Sequence, residues 1–177
     1  MSHAYDPRQA NLLGALGLAI SDRLADPDTG GSASEALIAL HGRRAGSTIH
    51  AVAGITGLTH SGAVRLVDRL VEAELVERRH GADQRSVALY LTPPGRRVAR
   101  QVLARRDARM QSLLALLTDD QRSAMVAAAE QILRELGAGT DAERRLCRLC
   151  DTQACRRPRG ECPVVPHRPT GEKRYTN

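Results

Sequence analysis

Leu58-Thr59-His60-Ser61-Gly62-Ala63-Val64-Arg65-Leu66-Val67-Asp68-Arg69-Leu70 is the stretch whose reading decides the fold. Its apolar residues recur at three- and four-residue steps through Val71, so it predicts a helix from Thr59 or His60 to about Ala73. The first turn, Thr59 to Gly62, is small and polar, which lets a helix end approach phosphates and base edges closely. Arg65 and Arg69 lie one helical turn apart on one face. Just upstream, Ser47 or Thr48 opens a shorter helix with Ile49, Val52 and Ala53 facing inward, and Thr56-Gly57-Leu58 breaks it. Two short helices around a Gly-containing turn are a helix-turn-helix, whose second helix can enter a major groove. Arg65 is placed to reach a guanine edge or a phosphate, Arg69 the backbone. Taken alone, the same spacing also describes a helical hairpin with a solvated Arg face.

The next residues favour the groove-reading alternative. Val76 to Arg79 and Val87 to Leu91 read as two short strands, the second with Val87, Leu89 and Leu91 on one face and Ala88 and Tyr90 on the other. The polar stretch between them makes the pair a hairpin. Arg78, Arg79, His80 and Arg85 crowd its tip and shoulders. Like charges gain nothing from being packed together unless a polyanion lies beside them, and Arg in a narrow minor groove is one way to read shape.

Leu58 to Leu70, Leu75-Val76-Glu77-Arg78, Asp83-Gln84-Arg85-Ser86 and Leu91-Thr92-Pro93-Pro94-Gly95 together resemble the MarR family of bacterial regulators, over roughly Gln9 to Leu136. The resemblance implies a mainly α fold with a small β-hairpin wing, a winged helix-turn-helix, and a helical dimerisation region drawn from both termini. It implies a homodimer on a palindromic duplex site, with repression as the default. It puts Ser61, Gly62 and Arg65 in the major groove and makes Arg85 the minor-groove finger. Asp83 would orient a nearby Arg by a salt bridge, and Thr48 and Thr59 would touch phosphates. His60 stands where relatives often carry Gln. Family members often bind small aromatic acids or phenols between the dimerisation and winged regions.

Working outward, Gln9 to Ala25 reads as an apolar-striped helix through Leu12, Leu13, Leu16, Ile20 and Leu24. The cluster Asp26 to Gly31 breaks it, and Ser32 or Ser34 is the expected cap of a helix over Glu35 to His41. Pro93 and Pro94 open a long helix lined by Val98, Val102, Leu103, Met110, Leu113, Leu114 and Leu117. Thr118 to Gln121 spells a capping box for a last helix ending at Leu136. The expected organisation is a dimerisation helix over 9–26, a winged domain over 32–94, dimerisation helices over 95–137, a cysteine segment over 144–165 and a disordered tail over 166–177. The terminal stripes are more apolar than one small winged domain can cover, which supports the dimer independently.

Composition narrows the partners. The formal net charge is +6, with no Phe, no Trp and 3 Tyr among 177 residues. A basic domain attracts polyanions, and so few rings argue against stacking on unpaired bases. No apolar run reaches the roughly 20 residues of a membrane span and no signal-peptide layout opens the chain, so it reads as a cytoplasmic protein without a membrane partner.

Cys147, Cys150, Cys155 and Cys162 form C-x2-C-x4-C-x6-C followed by Pro163, a pattern outside the family resemblance. In the cytosol clustered thiols more often bind metal than form disulfides. Arg144, Arg145, Arg148, Arg156, Arg157 and Arg159 surround them and favour thiolates. Uneven spacing and a Pro after the last Cys favour an iron–sulfur cluster; a zinc site is the alternative, with only one C-x2-C knuckle. Uncoordinated thiols, or a disulfide formed on oxidation, are the third reading. The expectation is a regulator responsive to that centre; a DNA-binding regulator with a purely structural zinc site is the alternative. A thiol redox enzyme is disfavoured, because no βαβ pattern accompanies the C-x2-C and no Ser/His/Asp arrangement or Gly-rich phosphate loop is present.

Overall fold

A computed structural model of the chain describes residues 6–42, 46–80, 87–137, 145–155 and 162–164. Within them lie α1 (Pro7–Leu24), α2 (Gly31–His41), α3 (Ile49–Thr56), α4 (His60–Glu72), β1 (Val76–His80), β2 (Val87–Leu91), α5 (Pro93–Leu114) and α6 (Asp119–Leu136). The mainly helical fold with one two-stranded antiparallel hairpin matches the expectation. The tail over 166–177 lies outside the described residues.

Local chemistry sets most helix starts. The Thr48, Thr59, Thr92 and Thr118 hydroxyls each accept from the backbone N–H three residues on, capping α3, α4, α5 and α6. At α6 the box is complete, because Gln121 Oε1 also accepts from the Thr118 N–H. Helix α2 departs from expectation. It begins at Gly31 with Gly30 as N-cap at φ 79 and no side-chain cap. Neither Ser32 nor Ser34 caps it; Ser34 is buried within the helix and its hydroxyl has no partner among the described residues. A left-handed Gly can start a helix where the chain must turn sharply, and that need is tertiary.

The core sits in the winged region. Ala36, Leu37 and Leu40 of α2, Val52 of α3, Leu66, Val67 and Leu70 of α4, and Val76, Leu89 and Leu91 of the hairpin form one buried cluster closed by Ala99 of α5. In β2 the expected alternation holds at Leu89 and Leu91. Val87 is nevertheless exposed and Ala88 buried, so both faces are covered at that point. Ser47, one of the two candidate starts of α3, instead adds a third piece: Gly46 N–H donates to Leu89 O, Leu89 N–H donates to Ser47 O, and Ser47 bridges β2 just before α3.

Helix α5 joins the hairpin through Gly95, which is buried where a Cβ would stand 1.9 Å from the Leu75 carbonyl oxygen. No side chain fits there. The C-terminal end of α1 is pinned to α5: buried Asp26 pairs with Arg105 at 2.7 Å, and Arg109 donates to Ala25 O at 2.8 Å. Neither α1 nor α6 has a buried residue, and Leu12, Leu13, Leu16, Met125, Val126, Ile132 and Leu136 are exposed.

Candidate nucleic-acid interface

Helix α4 turns one face inward and one outward. Ala63, Leu66, Val67 and Leu70 are buried, while His60, Ser61, Arg65 and Arg69 are exposed. Gly57, at φ 68, makes the reversal from α3. Thr59 is exposed; it accepts from Gly62 N–H at 3.2 Å and lies 3.3 Å from the Ser61 hydroxyl. The Gly62 amide therefore already has a partner and is not a free donor for phosphate. A Cβ on Gly62 would stand 3.2 Å from Thr59 Oγ1, tight enough to press on the cap. Thr48 is exposed at the start of α3 and holds Ala51 N–H.

The hairpin is welded to this helix. Arg78 of β1 pairs with Asp68 of α4. Arg79 pairs with Glu77, and its guanidinium lies 4.8 Å above the centre of the Tyr90 ring. Arg78 and Arg79 are thus not the unneutralised shoulder charges that the sequence suggests. The Arg78 pair bridges wing and helix at the surface, and Arg79 is held along its own strand by Glu77 and across to β2 by Tyr90. Asp68 and Tyr90 were the residues that sequence reasoning passed over; an acidic residue between Arg65 and Arg69 was the available signal. Asp83 and Arg85, in the connection between the strands, lie outside the described residues. Arg69 borders a cleft of about 660 Å³ between α4, residues 28–33 and α5.

Residues 28–86 match the sequence model described as "MarR family". Over those residues the chain is similar to the MarR family. A Bacillus subtilis (strain 168) protein described as the uncharacterized HTH-type transcriptional regulator YsmB is 33% identical over 75 residues, which is 42% of this chain and 51% of that one. The match thus spans about half the length of this curated relative. Among solved structures, Mycobacterium tuberculosis RV1404 superposes with a TM-score of 0.63 at 24% identity, covering 78% of this chain and 99% of its own. Staphylococcus aureus MepR, a transcription regulator of the multidrug efflux pump MepA, gives 0.62 at 20% identity over 72% and 97%. CouR from Rhodococcus jostii RHA1, bound to p-coumaroyl-CoA, gives 0.56 at 25% identity over 74% and 95%.

The cysteines lie beyond the MarR-matched residues. Cys147 and Cys150 share one turn, in which Cys150 N–H donates to Cys147 O at 3.2 Å and the Cys150 thiol donates to Leu146 O at 3.8 Å. Cys155 N–H donates to Asp151 O at 3.0 Å, ending a second turn that the Asp151 carboxylate organises by accepting from Gln153 and Ala154. Cys162 is buried, and Val164 packs on Gly137 at the end of α6. Among the described residues no three His, Cys, Asp or Glu side chains are drawn together as a metal site. The donor chemistry, four thiols on one short segment, fits an iron–sulfur cluster or zinc.

Segment 145–155 lies against the winged domain. It faces Ile38, His41 and Arg100 across a cleft of about 990 Å³. Among the described residues no helix is long and apolar enough to cross a membrane.

Proposed function

We propose that this chain is a sequence-specific, double-stranded-DNA-binding transcriptional regulator, acting as a homodimer on a palindromic site. The observation that carries the reading is the exposed face of α4, with Thr59, His60, Ser61, Gly62 and Arg65 at its leading half and a hairpin locked beside it by Arg78–Asp68. Arg65 serves base edges, Thr48, Thr59 and Arg69 serve phosphates, and Arg85 with Asp83 serves the minor groove. The net charge of +6 suits a polyanion and predicts affinity that falls steeply with salt. The uncovered stripes on α1 and α6 supply the dimer surface. Such a regulator is not an enzyme and works in the cytoplasm; repression is its default mode.

The four cysteines make binding conditional. Cys147, Cys150, Cys155 and Cys162 would hold an iron–sulfur cluster, or zinc as the alternative, and either centre when bound cross-links segment 145–164 into one piece. A small-molecule effector is a second layer of control: the 990 Å³ cleft offers Arg100, Arg106 and His41 to an anion, and CouR is a structural relative bound to an acyl-CoA.

Selection from a random duplex library, followed by fluorescence anisotropy on the enriched site, tests the first claim. A two-fold-symmetric site is expected, with Arg65→Ala losing about 1–3 kcal/mol and its discrimination at one base pair; no enrichment above non-specific binding would sink it. Anaerobic purification with metal analysis and a visible spectrum tests the second. Brown protein that bleaches in air supports the cluster, whereas colourless protein with stoichiometric zinc rejects it.

A further inference from the structure

Arg148 occupies the middle of the C-x2-C turn, between Cys147 and Cys150. Its Nη1 donates to Arg145 O at 2.6 Å, so the guanidinium is folded back onto the turn. Its Nε donates to Glu35 Oε1 at 2.7 Å, and the Glu35 side chain is only 15% exposed. Glu35 belongs to α2. A second approach lies at the end of that helix, where Thr152 stands 3.7 Å from the position a Cβ would take on Gly42, the C-cap of α2. The cysteine segment therefore meets α2 at its middle and nears it at its C-cap.

Helix α2 is the element through which such a contact reaches the DNA-reading face. Ala36, Leu37 and Leu40 share one buried cluster with Leu66, Val67 and Leu70 of α4. Interiors at that density transmit displacement rather than absorb it. From the other end of the segment Val164 packs on Gly137 at the end of α6, and Cys162 two residues before it is buried. One short stretch of chain is thus fastened to the winged domain and to a helix outside it.

We propose that Arg148 is a positioning residue that docks the cysteine turn on α2, and that the Glu35–Arg148 pair couples the state of the thiols to DNA binding. The coupling rests on the DNA-binding reading above; the docking does not. With the turn in place, Glu35 is neutralised and α2 is held against α4. When the turn rearranges, Glu35 keeps its largely buried charge without the guanidinium, and α2 is released. Linkage makes the effect reciprocal: a bound duplex that fixes α4 and α2 also fixes the cysteine turn.

The test is alkylation of the full chain by iodoacetamide, reduced and treated with chelator, followed site by site by mass spectrometry. Corrected for the thiolate fraction, read from the pH dependence of each rate, Glu35→Gln and Arg148→Gln should raise the rates at Cys147 and Cys150 roughly three- to tenfold, the scale of one half-exposed charge-assisted hydrogen bond. The charge-swapped double variant, Glu35→Arg with Arg148→Glu, should move them back toward wild type, which a merely space-filling role would not do. Unchanged rates in both single variants overturn the docking. The enriched duplex should slow alkylation at these two sites in wild type and not in Glu35→Gln. Equal slowing in both overturns the coupling while leaving the docking. If wild type binds no duplex in anisotropy, the DNA-binding reading falls and the coupling with it, and the duplex-free rates still decide the docking.

Discussion

The winged region and the helices flanking it draw on the same aliphatic residues and use them in opposite ways. In the winged region Leu37, Val52, Val67, Val76 and Leu89 are almost wholly removed from water. On α1 and α6 leucines, Met125, Val126 and Ile132 remain exposed. The difference lies in topology. Three helices and a hairpin enclose one another within a few dozen residues, whereas α1 and α6 are connected to that core only at their ends. A single chain can close the first kind of core, and the second needs another surface. On the proposed function, the first is the unit that reads DNA and the second the surface that meets another copy.

The sharpest way to break the contrast is at the joint. Gly95→Ala forces a Cβ against the Leu75 carbonyl, and backbone on backbone cannot yield, so a loss of about 3 kcal/mol or more is expected. Circular dichroism melting should show the winged domain unfolded or much weakened. Next comes a matched pair of leucines. Leu37→Ala, in the core, should cost about 2–5 kcal/mol in urea denaturation. Leu13→Ala, at a side chain 61% exposed on the α1 stripe, should leave the monomer within about 0.5 kcal/mol and act instead on dimer dissociation, read by analytical ultracentrifugation. Equal effects of the two on monomer stability would erase the distinction.

The tether between the regions comes third. Burial raises the Asp26 pKa, but the hydrogen bond and charge of Arg105 outweigh it and hold the carboxyl below its ordinary value. A depressed folded pKa adds stability above the unfolded value, about 3.9, and that stability is lost as pH falls through the folded value. Asp26→Asn should therefore remove an acid-dependent increment below about pH 4 and lower stability at neutral pH by about 1–2 kcal/mol, less than for a sealed pair because Arg105 still meets water. Melting curves across pH would show it. The smallest change is Ser34→Ala. It removes a buried hydroxyl that has no partner among the described residues and should be neutral or stabilising by up to about 1 kcal/mol; a clear loss in melting would reject that.

What the sequence settled by itself was whatever depends on near neighbours. The helix from His60, the capping box at Thr118 and the strand pair followed from periodicity and from hydrogen bonds spanning three residues; Thr48 and Thr59 stood there as candidate helix starts, and the Thr92 cap was not foreseen. The exposed face of α4 was legible for the same reason, since burying Leu66 and Leu70 leaves Arg65 and Arg69 outside. Only the tertiary structure decided the rest. The start of α2 at Gly30, the bridge at Ser47, the demand for Gly95, the pairing of Arg78 with Asp68 and the docking of Arg148 on Glu35 all join residues whose approach depends on how finished elements pack. Charge counts could not foresee that pairing, because a guanidinium reads alike in sequence whether it faces a phosphate or a carboxylate; only the partner within hydrogen-bond reach tells them apart.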